Sequence, residues 1–342
     1  MKLKIWTDKS YIEKYKYYVT MLIPFFGYEE PDDFIDKGRF LEYYQKGKEF
    51  FSLVEDIKEC DVIVSPIPYE KKEGPQCAKE LSELAKKFNK KVFVFFNSDS
   101  AKDVNIENSI IFRTSFYKSK RKSNEFALPG WSQDYLKSYF NGKLQIKEKS
   151  EKPVVGYSGY IDVEPDSFNK PVKKILKRIK RAIQSKIKGE YNSQLLRGRA
   201  VEYLSKNENL EANFIIRNGF MGLATLEVRK EFVYNIISSH YCLATRGNGN
   251  FSYRLYEIMS LGRIPLFVNT DAVLPYEEFI DYKKYFCWVE EKDLKKIAKI
   301  VLDFNNKISN EDFISLQKKI REIYEEWISP VGFHKNLWRY LK

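Results

Sequence analysis

The residues best suited to chemistry lie between His240 and Val268, in the run Thr245-Arg-Gly-Asn-Gly-Asn-Phe-Ser-Tyr-Arg254-Leu-Tyr-Glu257. An apolar stretch precedes the glycines, and Leu255, Ile258 and Met259 recur at helical spacing after them, so the run reads as strand, glycine loop, helix. The unpaired N–H groups and positive dipole end at such a helix start favour an anion. Arg246 before the loop and Arg254 in the first turn add two guanidinium forks that match phosphate oxygens. Gly247 and Gly249 allow a tight turn and close backbone approach to a ligand, and Ser252 is expected to cap the helix. A diphosphate is the guest that fits. Glu257, three residues beyond Arg254, can accept hydrogen bonds from a ribose diol, although the same spacing also suits an ion pair within the helix. Tyr253 and Phe251 flank the loop and either stack on the ligand or fill the core.

Short Val-, Ile- and Phe-rich runs alternating with helical patterns must position these groups, and this alternation predicts parallel α/β units. Strands are expected at 2–6, 61–64 and 91–96, with a helix over 76–87. Polar stretches at 118–124 and 141–152 place the end of a first domain near Ser150. A second domain over 151–328 is expected to hold strands at 153–157, 213–216, 241–245, 264–268 and 285–289. Its helices are expected at 172–183, 228–238, 252–261 and 309–327, the last behind a Ser309–Asp312 capping pair. The final segment, 329–342, is expected to pack back on the first domain. Two parallel α/β domains place a ligand in the cleft outside the carboxyl ends of their strands. Tyr157, Ser158 and Gly159, after the first strand of the second domain, therefore face that cleft. Asp99, beyond the strand 91–96, faces it from the other side as a candidate base, with Asp32 and Asp162 as further candidates. His240 is read as packing, His334 as a surface or domain-contact residue, and Pro265 as fixing the start of a strand.

Composition narrows the class. The chain has 342 residues with 43% hydrophobic and 31% charged, which suits a folded two-domain protein rather than a disordered one. The net charge of +12 points to an anionic partner, although much of the Lys and Arg falls on solvated helix faces. Four dispersed cysteines and two histidines give no disulfide framework, zinc knuckle or histidine-rich metal site. The amino end is charged throughout, without the apolar stretch of a signal peptide, and the apolar run 17–28 is shorter than the roughly 20 residues that span a membrane. A cytoplasmic location is expected.

Thr245-Arg-Gly-Asn-Gly, Ser252-Tyr-Arg-Leu-Tyr-Glu257 and Leu261-Gly-Arg-Ile-Pro265, followed by Val273-Leu-Pro-Tyr-Glu-Glu278 and Ile280-Asp-Tyr282, resemble the carboxy-terminal half of exostosin-family glycosyltransferases. Weaker echoes are the strand 91–96 and Val155-Gly-Tyr-Ser-Gly159. The family carries ProArgGly, Ser-x-Arg-x-x-Glu, GlyCysIlePro and LeuProPhe in this order. Thr245 stands here for the usual Pro and Arg263 for the usual Cys. The resemblance implies a GT-B fold, two Rossmann-like domains facing a central cleft. It also implies inverting transfer from a nucleotide sugar, UDP-linked by expectation, to a glycan or glycoconjugate hydroxyl in surface-glycan or glycoprotein-glycan synthesis, with no cofactor and no obligatory metal. Arg246, Arg254 and the helix start would then hold the leaving diphosphate.

Two other readings stand beside it. A fucosyltransferase-like enzyme would use a GDP-sugar on a similar Arg- and Glu-bearing helix. A non-catalytic binder of anionic polymers would rest on charge and aromatics alone, and no nucleic-acid motif supports it, so nucleic acid is not an expected partner. Peripheral membrane association through basic helices is compatible with a transferase acting on lipid-linked acceptors.

Overall fold

The computed structural model describes residues 2–29, 37–161, 191–217 and 225–341. Six strands form the first sheet: β1 (Leu3–Trp6), β2 (Phe51–Leu53), β3 (Val62–Val64), β4 (Lys91–Phe96), β5 (Ser109–Arg113) and β6 (Glu125–Ala127). Their order is β2-β1-β3-β4-β5-β6 and every neighbouring pair is parallel. β3 and β5 are buried throughout, as expected where helices cover both faces of a parallel sheet. The helices that matter here are α1 (Lys9–Tyr15), α2 (Leu41–Phe50), α3 (Gly74–Lys87) and α4 (Tyr135–Phe140). Asp8 starts α1 by accepting from the Ser10 amide, and α3 buries Cys77, Ala78, Leu81 and Ala85 on one stripe.

The second sheet holds β7 (Val154–Tyr160), β8 (Glu211–Arg217), β9 (Tyr241–Ala244), β10 (Ile264–Asn269) and β11 (Cys287–Glu290), again all parallel, in the order β11-β10-β9-β7-β8. Around it lie α5 (Ser193–Ser205), α6 (Leu226–Ser238), α7 (Tyr253–Ser260), α8 (Asn310–Ile323) and α9 (Pro330–Lys335). The fold is the GT-B arrangement. In each sheet the second strand lies outside the first and the third crosses to the other side. A crevice opens where the winding reverses, between β1 and β3 and between β7 and β9.

The structure adds to and corrects the sequence reading. β2, β5 and β6 went unread: β2 and β6 are three-residue strands, and β5 has only the short apolar core Ile110–Phe112 between polar segments. Ser158 and Gly159 belong to the end of β7 rather than to a following loop. The helix expected over 309–327 ends at Ile323 and continues as one π turn, Tyr324–Ile328, before Pro330 opens α9. Ser309 does cap α8, its hydroxyl accepting from the Asp312 amide at 3.0 Å. The helix expected at 172–183, Asp162 and Asp32 lie outside the described residues.

The chain passes between the sheets twice, through the segment that follows β6 and through the π turn into α9. Trp131 Nε1 donates to the Ile328 carbonyl at 2.8 Å, and Arg321 binds both carboxylate oxygens of Asp134 at 2.7 and 2.8 Å, so the two passages are stitched together. On α9, His334 stacks on Tyr43 of α2 with ring centroids 4.0 Å apart, and Phe333 packs edge-on to Phe112 of β5.

Candidate active site

The carboxyl ends of β7 and β9 and the start of α7 converge at the winding reversal of the second sheet. Arg254, in the first turn of α7, reaches across to β7, where its Nη2 donates to the Ser158 carbonyl at 2.6 Å and its guanidinium lies 4.4 Å from the Tyr157 ring centroid. A Cβ on Gly159 would fall 2.7 Å from that Nη2, so glycine here leaves room for the Arg254–Ser158 contact. Arg246, one residue beyond Thr245 at the end of β9, is 5% exposed. It donates from Nη1 to the Tyr117 hydroxyl and from Nη2 to the Asn248 carbonyl, both at 3.0 Å, and covers the Tyr191 ring at 4.1 Å.

Four buried polar atoms here have no hydrogen-bond partner: Ser158 Oγ, Thr245 Oγ1, Arg246 Nε and Arg254 Nε. Buried donors are ordinarily satisfied, and a buried cation is ordinarily paired. Among the described residues no carboxylate pairs with Arg246 or Arg254. The departure Thr245, where the family has Pro, places a hydroxyl in this cluster. Ser252 occupies the position before α7 in extended backbone, but its hydroxyl caps no first-turn amide, contrary to expectation. The helix start is thereby left without a side-chain cap.

The glycine loop turns tightly, and its second glycine also sets a contact between the domains. Neither has positive φ. A Cβ on Gly247 would make only an ordinary contact, 3.5 Å from the Phe251 carbonyl, and the Gly247 amide closes the loop by donating to that carbonyl at 2.7 Å. A Cβ on Gly249 would meet Asp99 of the first domain, 2.8 Å from its Cα and 3.0 Å from Oδ1. Gly249 thus allows the two domains to touch, and it brings the exposed Asp99 against the glycine loop. Phe251 and Tyr253 meet Gly130 of the other domain at 3.1 and 3.2 Å from its would-be Cβ. Tyr253 stays 43% exposed, and its hydroxyl pKa is raised, chiefly by desolvation against the lowering charge of Arg39, with Asp99, Glu257 and Glu70 adding to the rise.

Glu257 is 7% exposed and receives the Tyr135 hydroxyl at 3.2 Å, with Arg229 Nη1 3.8 Å away. Its carboxylate is held by α4 and α6. His240 is a packing residue, accepting the Val154 amide at Nδ1 at 2.9 Å, and burial lowers its pKa to about 4. His334 is fully buried against Tyr43 and Trp131, a domain contact rather than a surface residue, and burial lowers its pKa to about 3. Pro265 lies within β10 beside Cys242 of β9.

Sequence reasoning missed several residues that the fold brings here. Asn250 bonds both domains: its amide nitrogen donates to Ser115 Oγ at 2.9 Å and its Nδ2 to the carbonyls of Phe116 and Asp271 at 3.0 and 3.1 Å. A cavity of about 800 Å³ lies beyond Arg246, lined by Tyr117, Tyr191, Asn269, Asp271, Glu290 and Lys292. Glu70, after β3, accepts the Asn97 amide at 3.1 Å; it reaches solvent, yet protein crowding its carboxyl raises its pKa above the ordinary glutamate value. Only the Gly-Asn-Gly-Asn run hinted at Asn250; nothing local marks the others. Among the described residues no three His, Cys, Asp or Glu side chains stand together as metal ligands, and no helix is long and apolar enough to cross a membrane.

The family profile of the exostosin GT47 domain matches residues 89–304, from the start of β4 to beyond β11. The chain belongs to the exostosin GT47 family. It is 26% identical over 120 residues to the probable arabinosyltransferase ARAD1 of Arabidopsis thaliana, covering 34% of this chain and 27% of that protein. It is 29% identical over 94 residues to Exostosin-1 of Drosophila melanogaster, covering 28% of this chain and 12% of the relative. The exostosin-family chain therefore spans about a quarter or less of the length of these relatives. Among solved structures, Anabaena HepE in complex with UDP overlaps all of this chain and 99% of its own at 8% identity and a TM-score of 0.35, an overlap too loose to add to what the two sheets show.

Proposed function

We propose that the protein is an inverting glycosyltransferase that takes the sugar of a nucleoside diphosphate sugar, UDP-linked, and passes it to a hydroxyl of a glycan. The observation that supports this most is the cluster of buried, unpartnered donors on Arg246, Arg254, Ser158 and Thr245 beside an uncapped helix start. A diphosphate would accept from those donors and neutralise both guanidiniums. In the transfer, negative charge grows on the leaving diphosphate as the bond to the anomeric carbon breaks, and these fixed cations stabilise it without requiring a metal. The cavity between Tyr191 and Glu290 lies on the far side of Arg246 and suits the nucleoside. Glu257, engaged by Tyr135 and Arg229, contributes as a support of α7.

The acceptor hydroxyl must lose a proton on the opposite side of the anomeric carbon. Asp99, against the glycine loop, is the base in this reading. Asp99→Asn is then expected to abolish turnover. Turnover that survives in Asp99→Asn and is lost in Glu70→Gln would transfer the role to Glu70. We place the reaction in the cytoplasm.

The testing experiment is thermal unfolding with UDP, GDP and their sugar conjugates, in wild type and Arg254→Ala, because a ligand of the folded state must raise stability. UDP is expected to stabilise wild type and not the variant. Stabilisation by GDP alone would select the fucosyltransferase-like reading. Stabilisation by no nucleotide, with salt-sensitive polyanion binding, would replace the enzyme by a polymer binder.

A further inference from the structure

The first sheet has its own winding reversal, between β1 and β3, and a groove runs along α1, the helix that follows β1. Thr7 Oγ1, just past β1, donates to the Val64 carbonyl at the end of β3 at 2.8 Å and ties the two strand ends together. From that point α1 and the segment that follows it wall a cavity of about 790 Å³. Its character is unlike that of the second sheet. Five half-buried rings line it: Tyr17, Tyr18, Phe26, Tyr28 and Phe40. The rings are fixed: the Tyr18 hydroxyl donates to the Gly27 carbonyl at 2.9 Å, the Tyr17 hydroxyl donates to Glu73 at 2.8 Å, and Tyr28 meets Phe40 edge-on. The charges on its rim are mixed, with Lys9, Lys16 and Arg39 against Glu13 and Glu29, and Lys9 is already paired with Glu55 at 2.6 Å.

A chain of packed contacts links the groove to the cleft. Phe40 packs edge-on to Trp131 at 5.5 Å, and the neighbouring Gly130 touches Phe251 and Tyr253 at the mouth of the diphosphate loop. On the other wall, Glu73 lies three residues from Glu70, whose carboxylate holds the Asn97 amide two residues before Asp99.

We propose that this groove binds the acceptor as an uncharged oligosaccharide, whose sugar rings stack their C–H faces on the aromatic rings while their terminal hydroxyl projects toward Asp99. Fixed, half-exposed rings present apolar faces at little entropic cost, which suits a ligand apolar on its ring faces and polar at its edges. A rim of balanced charge gives an acidic chain no advantage. The orientation toward Asp99 rests on the transferase reading above; the binding of a sugar chain does not.

The test is saturation-transfer NMR and calorimetric titration of the full chain against neutral β-linked oligosaccharides of two to six glucose, xylose or N-acetylglucosamine units, with heparin as an acidic comparator. At least one neutral series is expected to bind, more tightly with length and with little change between low and high salt. The double variant Tyr17→Ala/Tyr28→Ala should weaken it about tenfold or more, and Tyr17→Phe/Tyr28→Phe should restore it, because the ring and not the hydroxyl is the contact. The UDP-induced thermal shift should be unchanged in both, which also shows that they are folded. Undiminished binding in the alanine variant, binding of heparin alone, or no binding across the panel would overturn the groove. Ring-dependent sugar binding without any nucleotide shift would keep the groove and overturn the transferase.

Discussion

The two sheets share one strand order and reverse their winding at equivalent places, yet the crevices differ in kind. At the ends of β7 and β9 the described chain holds a buried and a half-buried arginine whose Nε atoms are buried without partners; along α1, after β1, it lays out fixed aromatic rings beneath a rim of mixed charge. Backbone topology sets where a ligand lies, and the side chains after each strand set which chemistry it must have. The comparison is sharpest for arginine, because the first sheet buries one as well. Arg113 is 2% exposed, but it pairs with Glu125 at 2.6 Å and also donates to the Ser115 and Lys102 carbonyls. Arg113 has a carboxylate partner; among the described residues Arg246 and Arg254 have none.

The contrast breaks if these arginines respond alike to mutation. The largest effect is expected at Glu125→Ala, which strands the Arg113 charge and should cost about 3–5 kcal/mol in urea unfolding while leaving nucleotide binding by the folded fraction intact. Arg254→Ala should do the reverse. Turnover of a nucleotide sugar should fall on the order of a hundredfold or more with little change in unfolding free energy, and normal turnover would dismiss its role.

Acid should act on the scaffold. His240 and His334 have folded-state pKa values of about 4 and 3 against 6.5 ordinarily, so the unfolded chain takes up protons first as pH falls. Their contribution is full above the ordinary value and is lost between it and the folded values, about 2 kcal/mol per histidine by pH 5. Denaturant titrations at pH 7 and pH 5, with His334→Gln removing part of the difference, measure this. The smallest effect is expected at Arg246→Met, where relief of an unpaired buried charge should raise stability by about 1 kcal/mol in urea unfolding while the nucleotide-induced shift disappears.

Much of this was legible in the sequence, for identifiable reasons. Val-, Ile- and Phe-rich runs marked most of the strands because a parallel strand buried on both faces must be apolar along its length. Arg246 and Arg254 were legible because a glycine loop and a helix start fix their neighbourhood within ten residues. What stayed hidden depends on distant partners. The role of Gly249 is set by Asp99, and the burial of His334 is set by Tyr43 and Trp131. The engagement of Glu257 depends on Tyr135 and Arg229, which no spacing within α7 could reveal. The aromatic groove was hidden because its rings are scattered over a segment with neither helical nor alternating period.

The paired passages of the chain between the sheets constrain how the two halves can move. A single tether leaves a body three rotational degrees of freedom, whereas two tethers pinned to each other through Trp131 and Ile328, and through Asp134 and Arg321, define one axis and suppress rotation about the others. Any opening of this protein then resembles a door on two hinges. The contact of Gly249 with Asp99 lies close to that axis, because the Phe251 ring is 2.9 Å from the would-be Cβ of Gly249 and 3.1 Å from that of Gly130, beside Trp131, so opening changes its gap little.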